Sequence, residues 1–229
     1  MLRSVGGTVR TSRTSMIKDP LMSNLARLYR LTTVIALALW SASGVAFIAT
    51  ALNSDPDAAP VSALAFLCAQ AALGVSAVGL GHLLRDRTPV LAPIASGLLF
   101  LSAFGHAAFA GSMLVAPDPD AASAPWALDL IAPPTMVGII GGTIVLAIAL
   151  FRARLGVAWL GIVLIGWVVV EFFLSGLGIW ASLASAVLLV VGFGGLAVVT
   201  ARSDLRDWTT VREWTATDAA EPARAAAAN

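Results

Sequence analysis

The chain is poor in charged residues, and this scarcity excludes a water-soluble globular protein. Only 12% of its 229 residues are Asp, Glu, Lys or Arg, while 59% are hydrophobic and the mean hydropathy is +0.89. Soluble domains are about 25% charged and roughly 45–50% apolar. A chain of this length cannot bury so many apolar side chains in its own core. A lipid bilayer must therefore solvate much of its surface.

Cysteine, lysine and histidine are also scarce, and each scarcity excludes a class of site. The single cysteine, Cys68, excludes an internal disulfide and a multi-cysteine metal site, and its apolar neighbours predict a buried packing thiol. The single lysine, Lys18, lies outside the apolar segments, which excludes a membrane Schiff base. The two histidines, His82 and His106, are predicted near opposite faces of the membrane, so neither a zinc hydrolase site nor bis-histidine haem is supported. No metal and no cofactor are predicted.

Enzymatic chemistry finds little support in the remaining residues. Ser96-Gly97 is followed by His106 ten residues later on the same predicted helix. That spacing is about 15 Å along the helix axis, too far for a serine–histidine hydrogen bond. Phosphate-binding and dinucleotide-binding fingerprints are missing as well. The sequence therefore does not predict an enzyme.

Six apolar segments are long enough to cross a bilayer as helices, which takes about 20 residues each. They cover approximately residues 31–52, 60–84, 89–115, 127–151, 155–174 and 177–200, the last two forming a hairpin that turns on Ser175-Gly176 and Gly178. Only helices satisfy the backbone within such a segment in lipid. We therefore predict an all-α bundle of six spans in residues 31–200. The small residues Ala49-Thr50-Ala51 leave cleavage of the first span as a signal peptide open.

The ends of the chain are predicted to lie outside the bilayer. Residues 1–30 form a polar N-terminal segment, and residues 201–229 form a tail. Within the tail, Leu205, Trp208, Val211 and Trp214 recur among charges. This pattern favours either a short helix on the membrane surface or a partly ordered polar stretch, followed by a disordered alanine-rich end.

The positions of the basic residues predict the orientation. All fourteen Lys and Arg precede the first span, follow the sixth, or lie in two short connections, at Arg85 and Arg87 and at Arg152 and Arg154. The other connections carry only acidic charges. The positive-inside rule then places both termini in the cytoplasm. The excess of arginine over lysine and the abundant alanine suggest a bacterial genome and hence the bacterial cytoplasmic membrane.

Three titratable residues in the spans form the candidate site: His106 in the third, Asp129 at the start of the fourth and Glu171 in the fifth. A charge in hydrocarbon costs about 2.5–3.5 kcal/mol, so such residues mark function by default. His106 and Glu171 each lie roughly 24–26 Å from the cytoplasmic start of their span. We therefore expect them to approach one another near the outer boundary. The alternative is a protonated Glu171 or one that reaches the outer surface.

Two further motifs concern the shape of the fourth span. Pro133 and Pro134 predict an irregular start or a bend, because proline cannot donate to a preceding carbonyl. Such breaks can line the cavities of transporters. Gly138 and Gly142 form a GxxxG motif, which serves either a dimer interface or packing within the bundle. Packing within the bundle is the expectation, since neighbouring helices of the same chain are available.

Two function classes remain open. A non-catalytic membrane subunit or scaffold, bound to a membrane protein partner or a second copy, is slightly favoured. The alternative is a carrier for a small solute, linked to protons, with a polar site in the outer leaflet. A cavity that joins His106 and Glu171 and opens outward would favour the carrier, whereas dry, fully paired polar contacts would favour the scaffold. Nucleic acid is not an expected partner.

The predicted topology can be tested by cysteine labelling in a background without Cys68. A membrane-impermeant thiol reagent should label Ser54→Cys and Asp120→Cys from outside, because their connections lack positive charge. Thr88→Cys should react only after permeabilisation. Labelling of Thr88→Cys in intact cells would refute the orientation.

Overall fold

The structure, a computed structural model, describes residues 20–52, 59–115, 125–153 and 157–209, and these are helical without any strand. The helices are α1 (Pro20–Leu52), α2 (Ala59–Leu84), α3 (Leu91–Val115), α4 (Pro125–Ala153), α5 (Ala158–Phe173), α6 (Ile179–Leu189), α7 (Gly195–Arg202) and α8 (Arg206–Thr209). A π-helical turn at Val190–Gly194 joins α6 and α7 into one rod. The predicted all-α membrane bundle is confirmed.

Five stretches of helix are long and apolar enough to cross a membrane. They are Asn24–Ala46, Val61–Leu84, Leu91–Gly111, Leu130–Ala153 and Ile179–Arg202. The sixth predicted span corresponds to α5, whose 16 residues extend about 24 Å, less than a hydrocarbon core of about 30 Å. The chain is a multi-pass membrane protein, and the count of six is approximate. The first helix begins at Pro20, inside the segment predicted to be polar and extramembrane.

Neighbouring helices in the chain are also neighbours in space. Each of α1 to α4 packs against the next, and α5 packs against α4 and α6. The rod formed by α6, the π-turn and α7 returns to α1 and closes the bundle. The tight connection between α5 and α6 turns at Gly178, whose φ of 61° and ψ of −134° suit glycine alone among common residues. This hairpin turn agrees with the prediction from Ser175-Gly176 and Gly178.

The GxxxG motif of α4 packs inside the bundle. A Cβ atom at Gly138 would lie 2.7 Å from the carbonyl oxygen of Leu98, and one at Gly142 would lie 2.9 Å from the backbone nitrogen of Leu99. Both glycines therefore let the backbones of α3 and α4 approach closely, the use that small residues have in lipid. This surface of α4 therefore packs within the chain, as the sequence analysis expected.

One end of the bundle gathers the basic residues, and we call it the basic end. Arg30 Nη1 donates to the carbonyl of Ser203 at 2.9 Å, and Arg87 Nη1 donates to the carbonyl of Ala153 at 3.4 Å. A further ion pair joins Arg87 to Asp207 at 3.8 Å. The start of the α1 span, the α2–α3 connection and the ends of α4 and α7 thus lie together. This arrangement agrees with the alternation of charge on which the topology prediction rests.

The tail folds back onto the basic end. Trp208 is 5% exposed, its Nε1 donates to Ser203 Oγ at 2.8 Å, and its ring stacks on His82 with centroids 5.6 Å apart. Tyr29 packs edge-on against both rings. The predicted surface helix is therefore one turn long here and faces protein at Trp208. Its other predicted members, Val211 and Trp214, lie outside the described residues.

Two expectations about single residues require correction. Cys68 is exposed on the apolar surface of α2, because lipid replaces protein as its surroundings and the hydropathy of its neighbours does not distinguish the two. Thr88 is 5% exposed, and its hydroxyl donates to the carbonyl of Leu84 at 3.1 Å. A cysteine there would be hidden from reagents on either side. Asp86, with a side chain 61% exposed in the same connection, is the better labelling position.

The close contact between α3 and α4 predicts unequal effects of two glycine substitutions. Gly138→Ala should destabilise the protein by about 1–3 kcal/mol, the usual range for overpacking, because the new methyl group meets backbone atoms that cannot move aside. Gly97→Ala on α3 is the control, since a Cβ there meets nothing within 4 Å; it should be neutral or slightly stabilising. Thermal unfolding in detergent micelles measures both. Equal stability of the two variants would contradict this packing.

Candidate functional site

A cavity of about 210 Å³ lies in the half of the bundle away from the basic end. Helices α1 to α6 all contribute to its wall. Its polar lining residues are Gln70, His106, Glu171 and Ser185, and its aromatic ones are Trp40, Phe66, Trp167 and Phe172. The structure thus brings two of the three predicted titratable residues, His106 and Glu171, to one site.

Glu171 is held at the side of the cavity by the α5–α6 hairpin. It lies in the last turn of α5, close to Phe173 where that helix ends, and it is exposed. Ser185 on α6 is 1% exposed, and its Oγ donates a short hydrogen bond to Glu171 Oε2. Among described residues no donor reaches the other carboxylate oxygen, Oε1. Glu171 Oε2 is therefore held by Ser185, and Oε1 is available to a ligand or a proton.

His106 reaches the same cavity from α3. Its Nδ1 lies 3.1 Å from the carbonyl oxygen of Ser102 and 3.0 Å from the hydroxyl of Ser102. Phe66 packs edge-on against the imidazole with ring centroids 5.6 Å apart. Because a carbonyl oxygen only accepts, this contact favours the tautomer with hydrogen on Nδ1. The other nitrogen, Nε2, then keeps a lone pair that can accept a proton or a ligand N–H.

His106 and Glu171 share the cavity without a direct bond. His106 is 15 residues into α3 and Glu171 is 13 residues into α5, which at about 1.5 Å per residue places them roughly 20–22 Å from the starts of these helices. The expected similarity in depth is therefore present in the helix registers. No hydrogen bond or ion pair joins the two side chains in the described part of the chain. Any link between them must pass through the contents of the cavity.

Among the described residues, Thr143 Oγ1 and Thr200 Oγ1 lack hydrogen-bond partners, and so do three buried polar atoms around the cavity. Those three are Gln70 Oε1, Trp40 Nε1 and Trp167 Nε1, on side chains exposed by 2%, 5% and 4%. An unsatisfied buried polar group costs about 1–3 kcal/mol. Buried polar atoms of this kind commonly contact a water or a bound ligand. Their grouping around one cavity points to polar contents for it.

The two tryptophans of the cavity wall pack against Phe193. The Trp40 and Trp167 ring centroids lie 6.4 Å apart, and Phe193 packs edge-on against both at 5.7 and 5.8 Å. The π-turn at Val190–Gly194 carries Phe193 into this position, where it is fully buried. Such turns are frequent at functional sites. The sequence analysis did not predict this π-turn, for which the glycines Gly192 and Gly194 are the available signal.

The remaining predicted site residues lie on α4. The backbone of Asp129 belongs to this helix, but its side chain lies outside the described residues. Pro133 and Pro134 are exposed, and α4 continues through both, so the helix is not interrupted there as the predicted break would require. The physical reason is that a transmembrane helix can carry proline when neighbouring groups satisfy the freed backbone. A bend of the axis at this point stays a prediction.

The composition of the cavity is that of a small-molecule site, with apolar and aromatic walls and a few convergent polar groups. Within the described ranges, no group of three or more His, Cys, Asp or Glu side chains could hold a metal ion. The chain matches no family model, no curated protein and no solved structure. The chemistry of the cavity is therefore the ground on which a function can be argued.

Gln70 provides a test of whether the polar residues of the cavity hold the bundle together. Gln70→Leu should raise the free energy of unfolding by about 1 kcal/mol, because it removes an acceptor that has no partner. Ser96→Ala on α3 is the contrasting variant. Its hydroxyl donates to the carbonyl of Ala77 across the α2–α3 interface at 2.7 Å, and its loss should cost about 0.6 kcal/mol.

Thermal unfolding of the ligand-free protein in the same detergent compares the two variants. A loss of stability in Gln70→Leu as large as that in Ser96→Ala would make Gln70 a structural contact and contradict the site.

Proposed function

We propose that this protein is a carrier of the bacterial cytoplasmic membrane that binds a small solute in the cavity and couples its movement to a proton. The observation that carries the proposal is the cavity shared by His106 and Glu171. It reverses the slight preference for a scaffold that the sequence alone suggested. Within the positive-inside orientation, the cavity faces the outer leaflet.

The state of the polar groups supports a carrier over a scaffold. Polar residues that only connect helices are expected to pair with one another or with backbone carbonyls, as Ser96 does with Ala77. Around the cavity, Gln70 Oε1 and two indole nitrogens have no partner. Such atoms are unfavourable in the empty protein and become favourable when a bound solute or water contacts them. This pattern is the one expected of a binding site that is prepared for a polar ligand.

The titratable groups support the coupling to protons. Among the described residues that line the cavity, His106 and Glu171 are the ones whose side chains can bind and release a proton. A carboxylate oxygen accepts either a proton or a donor group of a bound solute. A solute that contacts Glu171 therefore competes with the proton or exchanges for it. The free Nε2 of His106 offers a second acceptor for that proton within the same cavity.

The test uses proteoliposomes that contain a pH-sensitive dye and have equal pH on both sides. Benzyltrimethylammonium, benzenesulfonate and benzyl alcohol are added outside in separate experiments, because none of them carries a titrating proton near neutral pH. At least one should change the internal pH when the wild-type protein is present. Glu171→Gln should abolish this change while the protein keeps its melting temperature, since a glutamine oxygen still accepts from Ser185.

Asp86→Asn is the matched control. It also removes one carboxylate, but at the exposed α2–α3 connection of the basic end, so proton movement should persist. Identical internal pH traces for wild type, Glu171→Gln and empty vesicles with all three solutes would reject the carrier and favour the scaffold.

A further inference from the structure

We infer that the cavity selects a small monovalent organic cation, an ammonium group attached to an apolar body no larger than a phenyl ring. This inference rests on the proposed function and specifies its solute. It draws on the charge of the cavity, its aromatic wall, its volume and its unpaired acceptors.

The cavity lining includes one acidic side chain, that of Glu171. Among the described residues that line the cavity, no other acid and no lysine or arginine is present. The arginines Arg30, Arg85 and Arg87 are at the basic end, at the far side of the bundle. A carboxylate attracts a cationic donor through a charge-assisted hydrogen bond. An organic cation supplies that donor, while an anion would be repelled.

The aromatic wall favours the same charge. Trp40, Trp167, Phe66 and Phe172 line the cavity. The face of an aromatic ring is negative and its edge is positive, so a cation is attracted within about 6 Å of a ring centre. Tryptophan gives the strongest attraction, and recognition of quaternary ammonium groups by aromatic cages is a known use of it. The carboxylate of Glu171 and the negative faces of the aromatic rings therefore both disfavour an anion.

The volume limits the size of the cation. A cavity of about 150 Å³ accommodates benzene. The present cavity of about 210 Å³ is larger by about 60 Å³, enough for a small head group beside one ring. Pockets for drug-sized ligands range from roughly 300 to 1,000 Å³. Large lipophilic cations are therefore too big for this form of the cavity.

The unpaired groups complement an ammonium head. Glu171 Oε1, Gln70 Oε1 and the lone pair of His106 Nε2 are all acceptors. An ammonium group donates and does not accept, so it matches this set. The unpaired indole N–H groups of Trp40 and Trp167 are donors, and a hydroxyl group or a water beside the ammonium would satisfy them.

Calorimetric titration of the full-length protein in lipid nanodiscs tests the charge selectivity. Benzylammonium, benzenesulfonate and benzyl alcohol are the probes, since they share a phenyl ring and differ in charge. The cation should bind tightest. Glu171→Gln should raise its Kd about tenfold or more, which corresponds to the loss of one strong charge contact, and Asp86→Asn should leave the Kd unchanged.

A second variant keeps the test informative if Glu171→Gln folds poorly. Phe66→Leu retains an apolar wall and removes one ring, so it should raise the Kd of the cation roughly two- to fivefold and leave that of benzyl alcohol nearly unchanged. Tighter binding of benzenesulfonate or benzyl alcohol than of the cation would overturn the cation assignment and leave the proposed carrier intact. Cation binding that is insensitive to both substitutions, or no binding of any probe, would also overturn it. Glu171-dependent cation binding without proton movement in vesicles would support the cation site and reject the carrier.

Discussion

The lack of water in the hydrocarbon core is the constraint on which this structure depends. No solvent is present there to satisfy a peptide group, so each backbone donor and acceptor must pair within its own helix. The hydrophobic effect also contributes little between helices in lipid, because acyl chains are as apolar as leucine. Van der Waals contact between closely approaching helix backbones holds the helices together instead. Gly138 and Gly142 provide that approach between α3 and α4, where an added methyl group would meet backbone atoms.

The same constraint explains why the polar side chains separate into two groups. In one group each hydroxyl bonds a carbonyl, as Ser41 does with Leu37 and Ser96 does with Ala77. These contacts add cohesion without leaving any polar atom exposed to lipid. In the other group, around the cavity, Gln70 and the two tryptophans keep unpaired atoms. Because these three side chains surround one cavity, a single ligand or water beside them can supply their missing contacts.

The two ends of the bundle differ in the same physical terms. At the basic end, arginines bond carbonyls and Asp207, and Trp208 covers the ring of His82. These contacts hold α1, α2, α4 and the tail together. At the other end, the short α5 and the hairpin at Gly178 bring Ser185 against Glu171. Among the described residues, the arginine contacts thus lie at one end of the bundle and the cavity lies toward the other.

The sequence by itself determined the membrane environment, the all-helical fold and the clustering of arginines at one end. These properties follow from hydropathy and charge, which are local. It did not determine that Cys68 faces outward, that Thr88 is buried, or that α4 continues through Pro133 and Pro134. Nor did it show that Gln70, Trp40 and Trp167 would surround the two titratable residues, because nearly uniform apolarity leaves the rotation of each helix unspecified in lipid. Only the tertiary packing decided which faces meet, and the cavity exists because those faces do not fill the space between them.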